Sequence, residues 1–532
     1  MKRPLLLVSA AVLAVAACTI EEVPAALPST PELARPTATG TPHSPPPLPW
    51  GPTRDQYARA GELVAAMSVE EQAGQVLVAD YPSVEAATAL VRDLHIGGVI
   101  VMDGNVESAN QVRRDITTLQ AANDRPYPLV VGVDQEGGRV ARIGTPLTEF
   151  PTLMTLGAAG DEELARAAAR ASGEELRALG FTMIFAPVAD VTSGPDDPTI
   201  GSRSASSDPA IVAEVVSEAV QGYDDAGIVA VAKHFPGHGS VPADSHVELP
   251  VQTATLDELR RRDLVPFAAA IESRVPAVMV AHINVQDVDA GVPSSLSPKI
   301  VRLLREEFGF GGLVVTDAQN MAAVTSAYGA GEAAVRALRA GVDVVLMPAD
   351  VRAAHAAIVA AVSDDGLPAA RLAQAATRVV ALMIRQAERQ AVPSPTVVGS
   401  HEWQSYVVSL AGLTVVSGPC GEPLVGDSIE ILGATQPDRD RFAEAAAAAG
   451  LSVGSGDVVR LLAGDRPGSG DVVVALDTPY GLADSAAATA RIALYGRTPS
   501  AFRALADVLA GNATGRGTLP VEVPHAERQG CR

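Results

Sequence analysis

The chain of 532 residues is too long for one ordinary domain and is typical of two. Its hydrophobic fraction of 47% provides enough apolar side chains for sizeable cores. The formal net charge of −22 would repel the phosphate backbone of nucleic acids, so we do not expect nucleic-acid binding.

Residues 1–17 have the pattern of an export signal. Lys2 and Arg3 precede the apolar run "PLLLVSAAVLAVAA", which ends directly before Cys18. This arrangement resembles a bacterial lipoprotein signal peptide, in which the cysteine is lipidated and becomes the new N-terminus. The alternatives are an ordinary secretory signal and an uncleaved anchor helix. We expect a diacylated Cys18 to hold the protein on the extracytoplasmic face of the cell membrane, because two acyl chains give stable anchoring.

Residues 18–50 are rich in proline and small polar residues, which predicts an extended tether between the anchor and the folded body. No later apolar stretch of the sequence is long enough to span a bilayer.

The segment 55–395 alternates strand-like runs with amphipathic helical segments. Residues 161–179 and 331–340 are helical in pattern, and each is followed by a glycine suited to a helix end. Alternation of strands and helices implies parallel pairing, and eight units predict a (β/α)₈ TIM-type barrel. The eight strand-like runs are "QVLVADY", "GGVIVMDG", "PLVVGVDQ", "TMIFAPVAD", "IVAVAKHF", "AVMVAHIN", "GLVVTDAQ" and "DVVLMPAD".

Polar residues end seven of these eight runs. The active sites of such barrels form at the carboxyl ends of the strands, so these side chains are expected to converge on one rim. Each acid taken alone is more often a salt-bridge partner or a loop cap than a catalyst. The strand-end residues are Asp80, Asp103, Asp134, Asp190, Lys233 with His234, His282 and Asp317.

The stretch "KHFPGHGSVPADSH", residues 233–246, concentrates the histidines of the chain. A zinc site is disfavoured because the loop is glycine-rich and its spacing matches no familiar helix-borne metal site. An acid/base interpretation needs only Asp244 and His246. A carboxylate bonded to one imidazole nitrogen fixes the tautomer and leaves the other nitrogen to transfer a proton.

Asp317 supplies a nucleophile for such a proton donor. A carboxylate nucleophile beside a separate proton donor is the equipment of a retaining glycosidase, in which the two groups are about 5–5.5 Å apart. A histidine donor avoids placing two carboxyl groups close together while one must stay protonated.

The segment 400–532 repeats an α/β pattern and predicts a smaller, doubly wound C-terminal α/β domain. It holds no comparable cluster of titratable residues, which favours a structural or substrate-border role. Cys420 and Cys531 both lie in this segment; a disulfide and two buried free thiols are equally open interpretations.

Four motifs together resemble the family 3 glycoside hydrolases, and more narrowly their β-N-acetylglucosaminidase branch, which acts on peptidoglycan fragments. They are the stretch 233–246, "DQEGGRVAR" (134–142), "IGSRS" (200–204) and "VVTDAQNM" (314–321). The tail "LYGRTPSAFRALADVLAGNATGRGTLPVEVP" is similar to the C-terminal domain of two-domain members.

The resemblance implies a role for each matching residue. Asp317 matches the nucleophile, His246 the acid/base and Asp244 its orienting partner. Charged groups give strong, oriented hydrogen bonds to sugar hydroxyls. The residues that match sugar-binding positions are Asp134, Arg142, Arg203, Lys233 and His234. We interpret His238 as loop structure.

Two departures from the family pattern stand beside these matches. Ala205 replaces an aromatic residue, and "TDAQNM" varies the neighbours of Asp317. The resemblance implies a retaining exo-β-N-acetylglucosaminidase that acts on cell-wall glycans and needs no metal or organic cofactor. The alternatives are a β-N-acetylglucosaminide phosphorylase and a non-catalytic glycan-binding lipoprotein.

Overall fold

The computed structural model describes residues 47–389, 392–526 and 529–531. Eight short, buried parallel strands form the first sheet, and all eight predicted runs are present in it. The strands are β1 (Leu77–Ala79), β2 (Gly98–Val101), β3 (Val130–Val133), β4 (Met183–Ile184), β5 (Val229–Phe235), β6 (Ala277–Val280), β7 (Leu313–Thr316) and β8 (Val345–Leu346).

These strands close into a barrel in chain order. Each strand pairs with the next from β1 to β7, β8 pairs with β1, and a parallel bridge between Val315 and Val344 joins the β7 and β8 ends. The predicted TIM-type barrel is therefore confirmed. Two further short pairs lie outside the barrel sheet, Gln135–Gly137 with Val140–Ala141 and Val251–Gln252 with Asn284–Val285.

Helices surround the barrel. Those of this part of the chain are α1 (Arg54–Ala65), α2 (Val69–Gln75), α3 (Val84–Leu94), α4 (Ala109–Ala122), α5 (Leu153–Ala159), α6 (Glu162–Leu179), α7 (Pro209–Ala226), α8 (Leu256–Arg261), α9 (Val265–Glu272), α10 (Gln286–Asp289), α11 (Pro298–Arg302), α12 (Ala322–Thr325), α13 (Ala330–Ala340), α14 (Val351–Ser363) and α15 (Ala369–Glu388).

The two helices predicted from glycine-terminated patterns are present. The Asp161 carboxylate accepts a hydrogen bond from the Leu164 N–H and caps α6, and Gly180 ends it with φ 103°. Gly341 ends α13 with φ 107°. Both glycines adopt the left-handed conformation that other residues reach only at a steric cost.

The C-terminal part of the chain forms a separate six-stranded sheet. Its elements are α16 (Glu402–Gly412), β9 (Thr414–Ser417), β10 (Ser428–Gly433), α17 (Gln436–Ala448), β11 (Ser452–Val453), β12 (Asp457–Leu462), β13 (Ser469–Ala475), β14 (Ala486–Ala493) and α18 (Pro499–Leu509). The strand order is β9-β14-β13-β12-β10-β11. All pairs are parallel except β9 with β14, so the predicted α/β domain is confirmed.

The two domains share a buried interface on α5. Met154 and Ala158 are fully buried in an apolar cluster with Tyr495 and other residues of the second sheet. The hydroxyls of Thr152 and Thr155 donate to the Tyr495 carbonyl at 2.8 and 3.1 Å. These contacts fix the C-terminal domain against the loops that follow β3.

Cys420 and Cys531 form a disulfide with an S–S distance of 1.99 Å. The disulfide interpretation is therefore confirmed, and the interpretation as two buried free thiols is wrong. The bond joins the loop after β9 to the end of the chain.

The predicted signal peptide, Cys18 and most of the predicted tether lie outside the described residues. The last residue of the tether, Trp50, is only 4% exposed, and its indole packs edge-on against the Tyr57 ring at 6.0 Å. The packed body therefore includes Trp50, and the tether prediction is too long at this end. In the part of the chain that the structure describes, we find no helix of the length and apolarity needed to cross a membrane.

Candidate active site

A cavity of about 350 Å³ opens at the carboxyl ends of the barrel strands. His246 and Asp317 both line it, as the acid/base and nucleophile interpretation requires. Of the other predicted site residues, those that line the same cavity are Asp134, Arg142, Arg203, Lys233 and His234.

Asp317 follows β7 directly, and its Oδ1 accepts a hydrogen bond from the Ala318 N–H at 2.8 Å. Burial would raise the pKa of this carboxyl, but the nearby imidazoles of His234 and His282 and this N–H outweigh burial and lower it. The carboxylate is therefore ionised at neutral pH, which a nucleophile requires.

His282 lies two residues after β6 and contacts the residue that follows Asp317. It is fully buried, and burial lowers its pKa. Its Nε2 donates to the Ala318 carbonyl at 3.0 Å, and its Nδ1 lies 2.6 Å from the Ser295 hydroxyl. Ala318, the residue after Asp317, is thereby held at its N–H by Asp317 and at its carbonyl by His282.

His246 and Asp244 form the predicted pair. The Asp244 Oδ1 accepts from the backbone N–H of His246 at 2.9 Å and lies 2.7 Å from its ring Nδ1. Burial would raise the pKa of Asp244, but these hydrogen bonds outweigh it and lower the pKa. Because Nδ1 faces the carboxylate, Nε2 remains available to exchange a proton, and the imidazole is 65% exposed.

Two buried cations share one buried carboxylate. The Lys233 Nζ lies 2.6 Å from Asp134 Oδ1 and 2.6 Å from Glu136 Oε1. Arg203 binds both oxygens of Glu136 at 2.8 Å. Burial would lower the pKa of Lys233, but the two carboxylates raise it, so the ammonium stays charged.

His234 is oriented by Asp190, which lies six residues after β4. The His234 Nδ1 lies 2.6 Å from Asp190 Oδ2, which leaves Nε2 toward the cavity, 3.5 Å from the Arg203 guanidinium. Asp190 also accepts the His238 backbone N–H at 2.7 Å, and the His238 ring lies 2.8 Å from the Ser245 hydroxyl. His238 therefore links the end of β5 to the loop of His246, and it also lines the cavity. Its interpretation as loop structure stays a prediction.

Arg142 reaches the cavity from the hairpin after β3. Its guanidinium lies 3.0 Å from Asp103 and 3.8 Å from Asp134. Of the strand-end acids, Asp80, Asp103 and Asp190 do not line the cavity. Asp103 contacts the lining residue Arg142, and Asp190 contacts the lining residue His234.

The sequence interpretation did not identify Glu136, although it lies two residues after Asp134 in the same motif. Alternate residues of an extended segment point to one side, and this was the available signal. The apolar part of the cavity lining was not predicted either; it includes Met102, Met279, Met321 and Met347.

Comparison with known proteins agrees with this geometry. The model of the glycosyl hydrolase family 3 N-terminal domain matches residues 68–382. The β-hexosaminidase LpqI of Mycobacterium tuberculosis is 36% identical over 303 residues, which cover 56% of this chain and 77% of that protein. β-Hexosaminidase A of Pseudoalteromonas piscicida is 32% identical over 385 residues, which cover 66% of this chain and 64% of that protein.

Among solved structures, the family 3 β-N-acetylglucosaminidase of Paenibacillus sp. str. FPU-7 superposes with a TM-score of 0.78 at 30% identity. The match covers 86% of this chain and 99% of that one, so it includes both domains. These relatives confirm the resemblance to the hexosaminidase branch. Since the family model matches more than half of the chain, the chain belongs to glycosyl hydrolase family 3 and is a glycosidase.

Proposed function

We propose that the protein is a retaining exo-β-N-acetylglucosaminidase in which Asp317 is the nucleophile and His246, oriented by Asp244, is the acid/base. The observation that carries this proposal is that an ionised, half-buried aspartate and an aspartate-bonded histidine line one sugar-sized cavity. The hexosaminidase names of the relatives support the N-acetylhexosamine specificity.

The reaction proceeds by two displacements. The Asp317 carboxylate attacks the anomeric carbon while His246 donates its proton to the departing glycosidic oxygen, and a glycosyl-aspartate forms. Neutral His246 then removes a proton from a water molecule, whose oxygen attacks the anomeric carbon. The bond to Asp317 breaks, and the sugar leaves with its original β configuration.

The cluster around Lys233 binds the terminal sugar. Asp134 accepts hydrogen bonds from sugar hydroxyls, while Lys233, Arg203, Arg142 and His234 donate to them. Glu136 already holds Lys233 and Arg203, and Asp190 already holds His234, in buried pairs, so little reorganisation is needed when the sugar enters. No metal or organic cofactor is required by these steps.

We further propose that the substrates are cell-wall glycans and that lipidated Cys18 anchors the enzyme to the membrane. The signal pattern of residues 1–18 and the resemblance to the branch that acts on peptidoglycan fragments support this assignment. An enzyme held outside the cytoplasm would meet cell-wall fragments directly.

The deciding experiment combines a variant with covalent trapping. Asp317→Ala is expected to lower kcat/KM for an aryl β-N-acetylglucosaminide by roughly 10³-fold or more, because the nucleophile is lost. A 2-fluoro sugar analogue should label the peptide that contains Asp317 in the wild-type enzyme. Asp80→Asn is the matched control, since Asp80 is a strand-end acid outside the cavity.

Unchanged turnover in Asp317→Ala, or a label on another peptide, would reject the nucleophile assignment. The same assay with added phosphate tests the phosphorylase alternative, because a histidine acid/base repels an incoming phosphate less than a carboxylate would. Formation of a sugar 1-phosphate in place of the free sugar would contradict hydrolysis.

A further inference from the structure

A second, open cavity of about 830 Å³ lies at the opposite end of the barrel from the active site. Its wall includes Pro128, which precedes β3, and Thr182, which precedes β4, so it opens at the amino ends of the strands. We call it the arginine groove, after three of its lining residues: Arg113, Arg177 and Arg389.

Arg177, in the last turn of α6, is the unusual member of the groove. Its side chain is buried, with the whole residue only 6% exposed, and its Nε has no hydrogen-bond partner. Among the described residues, no hydrogen bond or ion pair of its guanidinium is present. A buried cation without a partner costs several kcal/mol, so such groups are ordinarily paired.

The surroundings of Arg177 do not neutralise it. Burial lowers its pKa, and the like charge of Arg389 lowers it further. Arg389 is engaged by Asp224, which also pairs with Arg385 at 2.8 Å, so one carboxylate serves two arginines. Arg113 is exposed, and no partner of its guanidinium is described.

The described lining residues of the groove include no carboxylate, although the chain carries a net charge of −22. The acidic composition of the chain would lead us to expect carboxylates in a surface groove, so their absence from this lining needs another explanation. Polar groups that accept or donate hydrogen bonds, Thr117 and Gln386, lie beside the arginines, and the buried Oε1 of Gln386 also has no partner.

We propose that the arginine groove binds a phosphate-type oxyanion, with Arg177 as its buried anchor and Arg113 as a second, exposed contact. The planar guanidinium binds phosphate oxygens in pairs, and a bound oxyanion would supply the charge partner that Arg177 lacks. The glycosidase mechanism uses none of these residues.

Two sources of this chemistry are possible, a free phosphate and a phospholipid headgroup. Pro47 and Leu48, at the start of the described chain, line a neighbouring cavity together with Asp224 and Arg385. Pro47 and Leu48 therefore lie close to the groove, because Asp224 also pairs with Arg389. The headgroup source rests on the proposed function, in which Cys18 carries a lipid.

The test is calorimetric titration of the full chain with inorganic phosphate at constant ionic strength, with chloride as the reference anion. Saturating N-acetylglucosamine is present throughout, to occupy the active-site cavity. Arg177→Gln is expected to weaken phosphate binding about tenfold or more, and Arg113→Gln, which changes an exposed residue and should not impair folding, to weaken it measurably. Arg170→Gln is the matched control, because Arg170 lies on the same helix but is exposed and paired with Glu174.

Phosphate that binds the wild type and not the Arg177 and Arg113 variants would support the proposal. Equal binding by all four proteins, or binding no tighter than that of chloride, would overturn it. All variants should hydrolyse the aryl glycoside at the wild-type rate, so failure of this proposal is distinguishable from failure of the proposed function.

Vesicle sedimentation separates the two sources. Vesicles of phosphatidylcholine are compared with vesicles that also contain phosphatidylglycerol, so that a lipid anchor contributes equally to both. Preference for phosphatidylglycerol that is lost in the Arg177→Gln, Arg113→Gln double variant would assign the site to a lipid headgroup. Phosphate binding without that preference would assign it to a free phosphate.

Discussion

In the proposed mechanism, Asp244 acts through its contact with His246, which would make it a positioning residue. Replacing Asp244 with asparagine keeps the size of the side chain but removes the charge that stabilises the imidazolium. We expect kcat to fall by about 10²-fold, since a general acid/base contributes about 10²–10⁴. The measurement is kcat on substrates with good and poor leaving groups, and the loss should be larger for the poor one, which needs more protonation.

The control for Asp244→Asn is Glu248→Gln, in the same loop but outside the cavity lining. In a His246→Ala background, Asp244→Asn should cause little further loss, because the two residues act as one unit. Fully additive losses would contradict the assignment of Asp244 as a partner of His246.

Glu136 is predicted to set the affinity for the sugar. Its side chain is only 1% exposed, and its two oxygens bind Arg203 and Lys233. Glu136→Gln would leave Arg203 and Lys233 with less counter-charge. Breaking a buried ion pair costs about 3–5 kcal/mol of unfolding free energy. We expect KM to rise about tenfold with a smaller change in kcat, and Glu136→Asp to restore part of the loss. A change in kcat without any rise in KM would contradict this role.

The sequence predicts that the site lies at the strand ends, but it does not predict which strand-end residues line the cavity. Asp80 ends β1 and Asp134 ends β3, yet only Asp134 lines the cavity. Which strand-end acid faces the cavity depends on the loops that follow each strand, and loop conformation is set by contacts distant in sequence. The loop that carries Arg203 is an example, since the Ser207 N–H donates to the Pro520 carbonyl at 3.3 Å.

At the scale of elements, the barrel was predictable because its strands are buried on both faces. Such strands are continuous apolar, β-branched runs with polar residues only at their ends. The contact of Asp343 that helps to close the barrel between β7 and β8 could not be predicted from the sequence. Asp343, just before β8, is fully buried and binds three arginines as well as the Val314 N–H of β7, at 3.0 Å.

We predict that Asp343→Ala destabilises the barrel by about 3–5 kcal/mol, because Arg305, Arg371 and Arg378 would lose a shared buried partner. Burial would raise the pKa of Asp343, but the three guanidinium groups lower it. Because the folded-state pKa is below the unfolded one, the contribution to stability is complete above about pH 4 and is lost as the pH falls through the folded-state pKa.

Chemical denaturation at pH 7 and at pH 3 measures the contribution of Asp343. The difference in unfolding free energy between variant and wild type should be smaller at pH 3, because protonation of Asp343 weakens its ion pairs in the wild type. Asp93→Ala is the control, since Asp93 pairs with Arg352 on the surface and should change stability by less than about 1 kcal/mol. An Asp343 variant as stable as this control would disprove the role of Asp343 in barrel closure.

At the scale of the whole molecule, the C-terminal domain lines no part of the active-site cavity among the described residues, yet it touches the loops that do. The Pro520 carbonyl binds the loop of Arg203, and the chain around Pro520 is held to the end of the protein. Leu519 N–H donates to the Gln529 carbonyl at 2.8 Å, and Thr518 forms an antiparallel bridge with Gly530. The C-terminal domain therefore supports the loop of Arg203 from outside the cavity.

The disulfide between Cys420 and Cys531 covalently holds the end of the chain that contacts the segment around Pro520. It joins residues 111 positions apart, and loss of a native disulfide typically costs about 2–5 kcal/mol. We predict that Cys531→Ser lowers the unfolding temperature and raises KM more than it lowers kcat, because the segment around Pro520 is released from the loop of Arg203. Dithiothreitol should produce the same changes in the wild type and none in the variant. A reductant effect of equal size in both proteins, or a variant with unchanged stability and KM, would show that the last residues of the chain do not support the site.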